Sequence, residues 1–234
     1  MTKSAETAHD LVVFGATSFV GQILTRYLLE TYGVGKSVKW AIAGRSESKL
    51  NALKSELGDN GKDLPVILAD ASDEAALKSM CEQTRVIIST VGPYALYGEP
   101  LVQACVRSGT DYCDLTGEVQ WIGKMVQRYE EEAKASGARI VHCCGFDSIP
   151  SDMGVWFLQN QAEQTFGEPC RDVRMRVKTA KGEFSGGTVA SLMNAVKEAS
   201  ADPKLRKQMA NPFSICPPEH RSKTRQPSLK GAEF

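Results

Sequence analysis

Short apolar runs alternate with amphipathic stretches through the first 145 residues of the chain. The runs are short enough to be single strands, and in the stretches between them apolar side chains recur at helical spacing. Between Val20 and Leu28, for example, apolar residues recur at intervals of three and four, soon after the apolar run at 11–14. This alternation predicts βα units, which build a parallel sheet with helices on both faces.

The pattern divides into six strands and five connecting helices. The predicted strands lie at residues 11–14, 38–43, 66–69, 86–91, 112–115 and 139–143. The predicted helices lie at residues 18–30, 46–57, 72–82, 99–107 and 120–135. Residues 1–150 are therefore predicted to form an α/β domain, a Rossmann-type doubly wound parallel sheet of the kind that binds dinucleotides.

The pattern changes after residue 150. A short helix is predicted at 152–160, a strand of alternating apolar and basic residues at 172–179, and a further helix at 188–199. We expect residues 151–202 to be the start of an α+β domain for substrate binding or dimerisation, incomplete at this length. The last segment, 203–234, holds five of the ten prolines and seven basic residues, which predicts an irregular basic tail.

Composition argues against several classes of protein. The 28 basic residues balance the 28 acidic ones, so a general affinity for nucleic acid is not expected. No apolar run approaches the roughly 18 residues of a membrane span, which predicts no transmembrane segment. Seven cysteines without a C-x-x-C pair, and only three histidines, predict reduced thiols and no metal site. Together these features predict a cytoplasmic protein.

The strongest motif is a glycine-rich turn between the first strand and the first helix. Gly15 allows the tight turn, Gly21 allows the helix to pack closely on the sheet, and the helix N-terminus attracts a pyrophosphate. Ser18 stands where the usual middle glycine would be, and its hydroxyl can cap the helix or donate to a phosphate oxygen. A plain turn without a ligand is the alternative. The candidate cofactor-binding residues here are Gly15, Ala16, Thr17, Ser18, Phe19, Val20 and Gly21.

The end of the second strand indicates which dinucleotide would bind. An NAD site places a carboxylate there, whereas this chain has Arg45, followed by Ser46 and Lys49. A permanently charged guanidinium suits a 2′-phosphate, with the other two as supporting donors, so NADP(H) is preferred over NAD(H). The alternative is that Arg45 is only a solvated residue at a helix start. Asp70, after the third strand, either meets the adenine amino group or starts a helix.

The loop after the fourth strand opens on the crevice where a doubly wound sheet binds its ligand. Thr90, Gly92 and Pro93 are candidates for contact with the nicotinamide ribose, because Gly92 permits a close backbone approach. Tyr94 and Tyr97 follow. Each is either an acid or orienting group beside the nicotinamide, or an aromatic that packs in the core.

Several motifs stand together in one order along the chain. They are Gly15-Ala-Thr…Gly21, Ala43-Gly44-Arg45, Val91-Gly92-Pro93-Tyr94, Tyr97-Gly98-Glu99-Pro100, Asp111-Tyr112-Cys-Asp114-Leu-Thr-Gly117-Glu118, Cys144-Gly-Phe-Asp-Ser-Ile-Pro-Ser-Asp152 and Ser185-Gly-Gly-Thr188. This set resembles the saccharopine dehydrogenase-like oxidoreductases, and most closely the trans-acting enoyl reductases, over about residues 11–200. The sequence departs from the family pattern at Ser18, and family chains continue well beyond the length of this one.

The resemblance implies an NADP(H)-dependent reductase, cytoplasmic or membrane-peripheral, that reduces a C=C (enoyl) bond of a lipid-type or other small-molecule substrate. The nicotinamide would deliver the hydride and the protein would supply a proton. We expect a tyrosine to be the proton source and nearby carboxylates to polarise it. The candidate catalytic residues are Tyr97, Tyr112 and Asp114. The substrate-side candidates are Tyr94, Glu118, Ser148 and Ser151.

A non-catalytic nucleotide-binding sensor or scaffold is the alternative function, since the second domain is short. The Tyr-x-x-x-Lys acid of short-chain dehydrogenases matches only at Tyr32 and Lys36, before the second strand, where no substrate would lie. A redox role for Cys143 and Cys144 is disfavoured, because adjacent strand-end cysteines usually belong to the core. The strand predicted at 172–179 has one polar face and could pair with another edge, which leaves a homodimer open.

Overall fold

One parallel sheet organises the molecule. The computed structural model describes residues 7–179, 181–182 and 185–221. Its strands are β1 (His9–Phe14), β2 (Trp40–Gly44), β3 (Val66–Leu68), β4 (Thr84–Ser89), β5 (Asp111–Asp114) and β6 (Ile140–Val141). They lie in the order β3-β2-β1-β4-β5-β6, and every neighbouring pair is parallel. This is the strand order of the Rossmann fold, and it confirms the predicted α/β class.

The five helices predicted between the strands are all present. The helices are α1 (Phe19–Tyr32), α2 (Glu47–Glu56), α3 (Glu74–Glu82), α4 (Tyr94–Tyr97), α5 (Glu99–Ser108), α6 (Val119–Ser136), α7 (Ile149–Phe166), α8 (Gly186–Ala201) and α9 (Pro203–Met209). Two 3-10 turns lie at Gly58–Gly61 and Pro218–His220. The short α4, directly after Pro93, is an element that the apolar pattern does not predict.

Apolar packing on both faces of the sheet explains why its strands form continuous apolar runs. Val12 of β1 belongs to the cluster beneath α3, α5 and α6, whereas the next residue, Val13, belongs to the cluster beneath α1 and α2. All five residues of β2 are buried. A strand that is covered on both faces has no wet side, so its sequence shows no polar alternation.

The candidate site is positioned by the strand order. β1 and β4 are neighbours although two strands separate them in sequence, so the topological switch point lies between their carboxyl ends. Ligands of doubly wound sheets bind in the crevice outside this point. The glycine-rich turn follows β1 and the loop that begins at Thr90 follows β4, so both predicted elements lie at the same crevice.

The structure differs from the sequence prediction in three places after residue 145. α7 extends beyond the helix predicted at 152–160. The strand predicted at 172–179 is wrong: no strand is assigned there, since no neighbouring strand in the described ranges offers a ladder for its backbone. α9 forms within the segment predicted to be irregular. Asp202 caps this helix by accepting from its first amides, and Pro203 suits the first turn.

α7 and α8 leave most of their apolar side chains exposed. Ala162 is the one buried residue of α7, and α8 has none. Leu192 and Met193 on α8 are 64% and 69% exposed. The main core therefore lies within the sheet and its flanking helices, and a boundary near residue 150 stays a proposal. No helix among the described residues is long and apolar enough to cross a membrane.

Gly21→Ala tests the close packing of α1 on the sheet. A Cβ at this position would overlap the carbonyl oxygen of Gly15 and lie 2.8 Å from the Cα of Ala16. Because both neighbours are backbone, we expect a loss of about 2–4 kcal/mol in the free energy of unfolding, measured by urea denaturation.

Gly154→Ala on α7 is the matched control for this substitution. Nothing lies within 4 Å of a Cβ at Gly154, so stability should hold or rise by less than about 1 kcal/mol. Equal stabilities of the two variants would contradict the packing argument.

Candidate functional site

The glycine-rich turn is packed directly against the loop that follows β4. Gly15 has φ +85°, a left-handed conformation that glycine adopts without strain. A Cβ there would lie 2.7 Å from Val91 Cγ2 and 2.8 Å from Thr90 Oγ1. The turn therefore requires glycine at this position for its conformation and also for its contacts.

Ser18 joins the turn to the same loop by hydrogen bonds. Its Oγ accepts from the Gly21 amide at 3.0 Å, which makes Ser18 the N-cap of α1. The same hydroxyl donates to Thr90 Oγ1 at 2.9 Å, and Thr90 in turn donates to the Gly15 carbonyl at 2.9 Å. Capping, one of the two roles expected for Ser18, is confirmed. Its φ of −71° explains why serine replaces glycine here without strain.

The end of β2 presents two cationic side chains to solvent. Arg45 and Lys49 are exposed, and neither forms an ion pair with another described residue. Ser46 caps α2 by accepting from the Lys49 amide at 3.4 Å. These three residues therefore lie together where β2 passes into α2.

Asp70 lies after β3, close enough to Arg45 to feel its charge. Its Oδ1 accepts from the Ser72 amide at 2.9 Å and from the Ser72 hydroxyl at 2.7 Å. These hydrogen bonds, and to a lesser extent the charge of Arg45, lower the pKa of the Asp70 carboxyl. Asp70 therefore bonds to its own turn, at the carboxyl end of β3.

The loop after β4 turns its first tyrosine into the core. The Gly92–Pro93 peptide is cis, and Tyr94 is buried with its ring centroid 5.5 Å from that of Trp121. The Tyr94 hydroxyl donates to the Ser89 carbonyl at 3.1 Å. Burial, followed by the charge of Asp114, raises the pKa of the Tyr94 phenol well above its usual value. These contacts favour the packing interpretation of Tyr94.

The two candidate catalytic tyrosines differ sharply in exposure. Tyr97 is 49% exposed, whereas Tyr112 is 1% exposed. The Tyr112 hydroxyl donates to Asp114 Oδ2 at 2.9 Å, and burial together with the Asp114 charge raises the pKa of Tyr112 far above its usual value. Tyr112 is therefore closed to solvent in this conformation, whereas Tyr97 is accessible.

Asp114 is a buried carboxylate that gathers four donors. Besides Tyr112, its Oδ2 lies 2.7 Å from His142 Nδ1. Its Oδ1 accepts from the backbone amides of Thr116 and Cys143, each at 3.1 Å. Asp114 therefore joins the ends of β5 and β6 to the loop that follows β5.

His142 is a member of the site that sequence reasoning missed. The signal that could have found it is strand register. Cys113 of β5 pairs with Val141 of β6, so the next residues along the two strands, Asp114 and His142, lie side by side at the carboxyl edge. Motif spacing alone does not contain this pairing, because β5 and β6 are separated by the whole of α6.

Glu118 is the second buried carboxylate, and its partners differ from those expected. Its Oε1 accepts from the Tyr94 amide at 2.8 Å and from the Ser191 hydroxyl at 2.8 Å. Its Oε2 accepts from the Ala95 amide at 2.9 Å. Glu118 therefore holds the start of α4, and Ser191 on α8 is a further contact residue that sequence reasoning did not predict.

The two serine candidates lie at the beginning of α7. Ser148 precedes the helix and Ser151 is within its first turn. Ser151 Oγ lies 3.5 Å from the sulfur of Met175. The structure thus places both serines after β6, at the same edge of the sheet as Asp114, without a described hydrogen bond from either hydroxyl to Asp114 or Glu118.

Comparisons with known proteins find similar sequences over most of the chain. The family model described as the saccharopine dehydrogenase NADP binding domain matches residues 11–141. A trans-acting enoyl reductase of Mycobacterium bovis is 40% identical over 212 residues, which cover 90% of this chain and 50% of that protein. The corresponding enzyme of Mycobacterium ulcerans is 38% identical over 213 residues, covering 91% and 50%. The chain thus spans about half the length of these curated relatives.

A solved structure supports the fold alone. Apo saccharopine dehydrogenase (L-Glu forming) from Saccharomyces cerevisiae superposes with a TM-score of 0.53 at 18% identity. The match covers 67% of this chain and 32% of the yeast chain. At this level of identity the likeness concerns the arrangement of strands and helices.

Asp114→Asn tests the role of the buried Asp114 carboxylate as the common partner of four neighbouring groups. The substitution keeps the size of the side chain but replaces one acceptor oxygen by a donor, at a point where four donors converge. We expect a loss of about 2–4 kcal/mol in the free energy of unfolding, measured by urea denaturation. Asp147→Asn, at an exposed position nearby, is the control and should leave stability unchanged. An Asp114→Asn variant as stable as the wild type would contradict this role of the carboxylate.

Proposed function

The chain belongs to the family of saccharopine dehydrogenase NADP-binding domains, and we propose on that basis that it binds NADP(H) at the carboxyl edge of the sheet, as part of an NADP(H)-dependent oxidoreductase. The observation that carries the proposal is the glycine-rich turn, bonded to Thr90 across the switch point, with Arg45 at the end of the next strand. Arg45 forms no ion pair with another described residue. These elements follow the neighbouring strands β4, β1 and β2 at the carboxyl edge of the sheet.

The pyrophosphate fits the start of α1. Phe19 and Val20 are the first residues of this helix, and helix geometry leaves their amides without an intrahelical acceptor. Gly15, Ala16 and Thr17 bring the backbone up to the same point, and the positive end of the helix dipole favours an anion there. A Cβ at Gly15 would crowd Thr90 and Val91, so this close approach depends on the glycine.

The 2′-phosphate fits the end of β2. Arg45 would hold it by charge-assisted hydrogen bonds, with the Ser46 hydroxyl and the Lys49 ammonium as further donors. NAD(H) would lose this interaction, and no carboxylate at the end of β2 would hold its ribose in return. The proposed preference for NADP(H) over NAD(H) rests on the presence of Arg45, and the absence of a carboxylate, at the end of β2. Asp70 would lie beside the adenine, at the end of the neighbouring β3.

The nicotinamide half of the cofactor would lie over the loop after β4. Thr90, Gly92 and Pro93 would face its ribose, and a bound nicotinamide would supply the hydride. Asp114 holds the ends of β5 and β6 together through its hydrogen bonds with Tyr112 and His142.

The reaction we propose is reduction of an enoyl C=C bond in a lipid-type substrate. A hydride adds to one carbon of the double bond and a proton to the other. Tyr97, exposed at the end of α4, would supply the proton. The enoyl assignment is supported by the names of the curated relatives, and the lipid-type substrate by the exposed apolar side chains of α7 and α8.

The wider setting follows from the same proposal. Residues 151–202 would begin the substrate domain, with Ser148 and Ser151 near its junction with the sheet. The enzyme would act in lipid metabolism, in the cytoplasm or at a membrane surface, as a monomer or a homodimer.

Arg45→Ala tests the cofactor assignment. We expect the variant to bind NADPH about 10- to 50-fold more weakly than the wild type, because one charge-assisted phosphate contact is lost, while NADH affinity stays the same. Binding is measured by titration of nicotinamide fluorescence. Lys62→Ala, an exposed lysine far along the chain from the glycine turn, should change neither affinity. Unchanged NADPH affinity in Arg45→Ala would contradict the 2′-phosphate site.

Tyr97→Phe tests the proton donor. With an enoyl thioester as substrate, we expect kcat for NADPH oxidation to fall about 100-fold or more, and NADPH affinity to stay within twofold of the wild type. Tyr27→Phe, exposed on α1, is the control. Full activity of Tyr97→Phe would contradict this role. NADPH binding by the wild type without turnover of any enoyl substrate would instead support the sensor or scaffold alternative.

A further inference from the structure

α8 attaches to the rest of the chain through polar side chains and leaves its large apolar side chains exposed. Ser191 and Glu198 both bond to residues around the start of α6. Val189, Leu192, Met193 and Val196 recur at helical spacing on the exposed side. A surface helix usually buries its apolar side chains and exposes its polar ones. α8 instead packs through specific polar contacts.

Two hydrogen bonds attach the polar side of α8. Ser191 Oγ donates to Glu118 Oε1 at 2.8 Å, and Gln120 Nε2 donates to Glu198 Oε2 at 3.0 Å. Glu118 and Gln120 are both buried, which shields these bonds from competing water. The two bonds, seven residues or about two turns apart on α8, attach this helix to the residues at the beginning of α6.

The Ser191 bond continues into the loop after β4. The Glu118 carboxylate also accepts from the amides of Tyr94 and Ala95, directly after the Gly92–Pro93 peptide. A Cβ on Gly92 would lie 3.8 Å from Ser191 Oγ, so α8 covers this loop at close range. The Ser191 hydroxyl of α8 is therefore connected through the Glu118 carboxylate to the backbone of the loop that would face the nicotinamide.

We propose that Ser191 is a positioning residue for the nicotinamide half of NADP(H), acting through Glu118 on the Gly92–Tyr94 loop. This inference rests on the proposed function, because it assumes that the dinucleotide binds along this edge. Removing the Ser191 hydroxyl leaves the Tyr94 amide as the one donor to Glu118 Oε1 among the described residues, and it breaks the hydrogen bond that connects α8 to the loop through Glu118. Among the residues that the structure describes, no hydrogen bond links Ser46 or Asp70, at the ends of β2 and β3 where the adenine half would lie, to this group of residues.

The test compares two ligands that differ only in the half the loop would contact. NADPH spans the whole cleft, whereas 2′-phosphoadenosine 5′-diphosphate lacks the second ribose and the nicotinamide. For Ser191→Ala in the full chain, we expect about 5- to 10-fold weaker NADPH binding and fragment binding within twofold of the wild type, by isothermal titration calorimetry. Ser191→Thr retains a hydroxyl and should restore NADPH affinity.

Ser200→Ala is the matched control, since this exposed serine of the same helix donates to the Val196 carbonyl and has no other hydrogen bond described. Equal weakening of both ligands in Ser191→Ala, unchanged NADPH affinity, or failure of Ser191→Thr to restore it would each overturn the positioning role. If the wild type binds neither ligand, the proposed cofactor site itself is wrong. If instead the wild type binds both NADPH and the fragment and Ser191→Ala behaves like the wild type, only the role of Ser191 is wrong.

Discussion

Thr90 Oγ1 accepts from Ser18 and donates to the Gly15 carbonyl, and these two bonds hold the turn after β1 against the loop after β4. The contact is close because Gly15 has no side chain and because Gly21 lets α1 approach the sheet. The open amides of Phe19 and Val20 are positioned by this contact, and so is the start of the loop that reaches Gly92. The geometry of the proposed cleft therefore depends on the packing of two loops across the switch point.

Two buried carboxylates stabilise the rest of the carboxyl edge. An isolated buried charge costs several kcal/mol, so each must be satisfied by donors. Asp114 is satisfied by Tyr112, His142 and two backbone amides, which joins β5 to β6. Glu118 is satisfied by the start of α4 and by Ser191, which joins the sheet to α8. Both side chains are motif residues, and their structural roles explain why a carboxylate is needed at each position.

The apolar pattern was sufficient for the sheet because its strands are covered on both faces. The strand predicted at 172–179 is wrong because alternation describes a strand only when a neighbour is present to pair with it. Asp202 as a cap and Pro203 in the first turn are local signals for α9. The prediction of an irregular segment gave more weight to its proline and basic content than to these signals. His142 and Ser191 could not be predicted from spacing, since each meets its carboxylate through register or docking between distant segments.

The central claim is that the edge from Gly15 to Arg45 is an NADP(H) site, and a crystal structure of the chain with NADP⁺ tests it most directly. The account predicts the pyrophosphate at the amides of Phe19 and Val20 and the 2′-phosphate within hydrogen-bond distance of the Arg45 guanidinium. A dinucleotide bound elsewhere on the chain, or bound here with its 2′-phosphate away from Arg45, would contradict it.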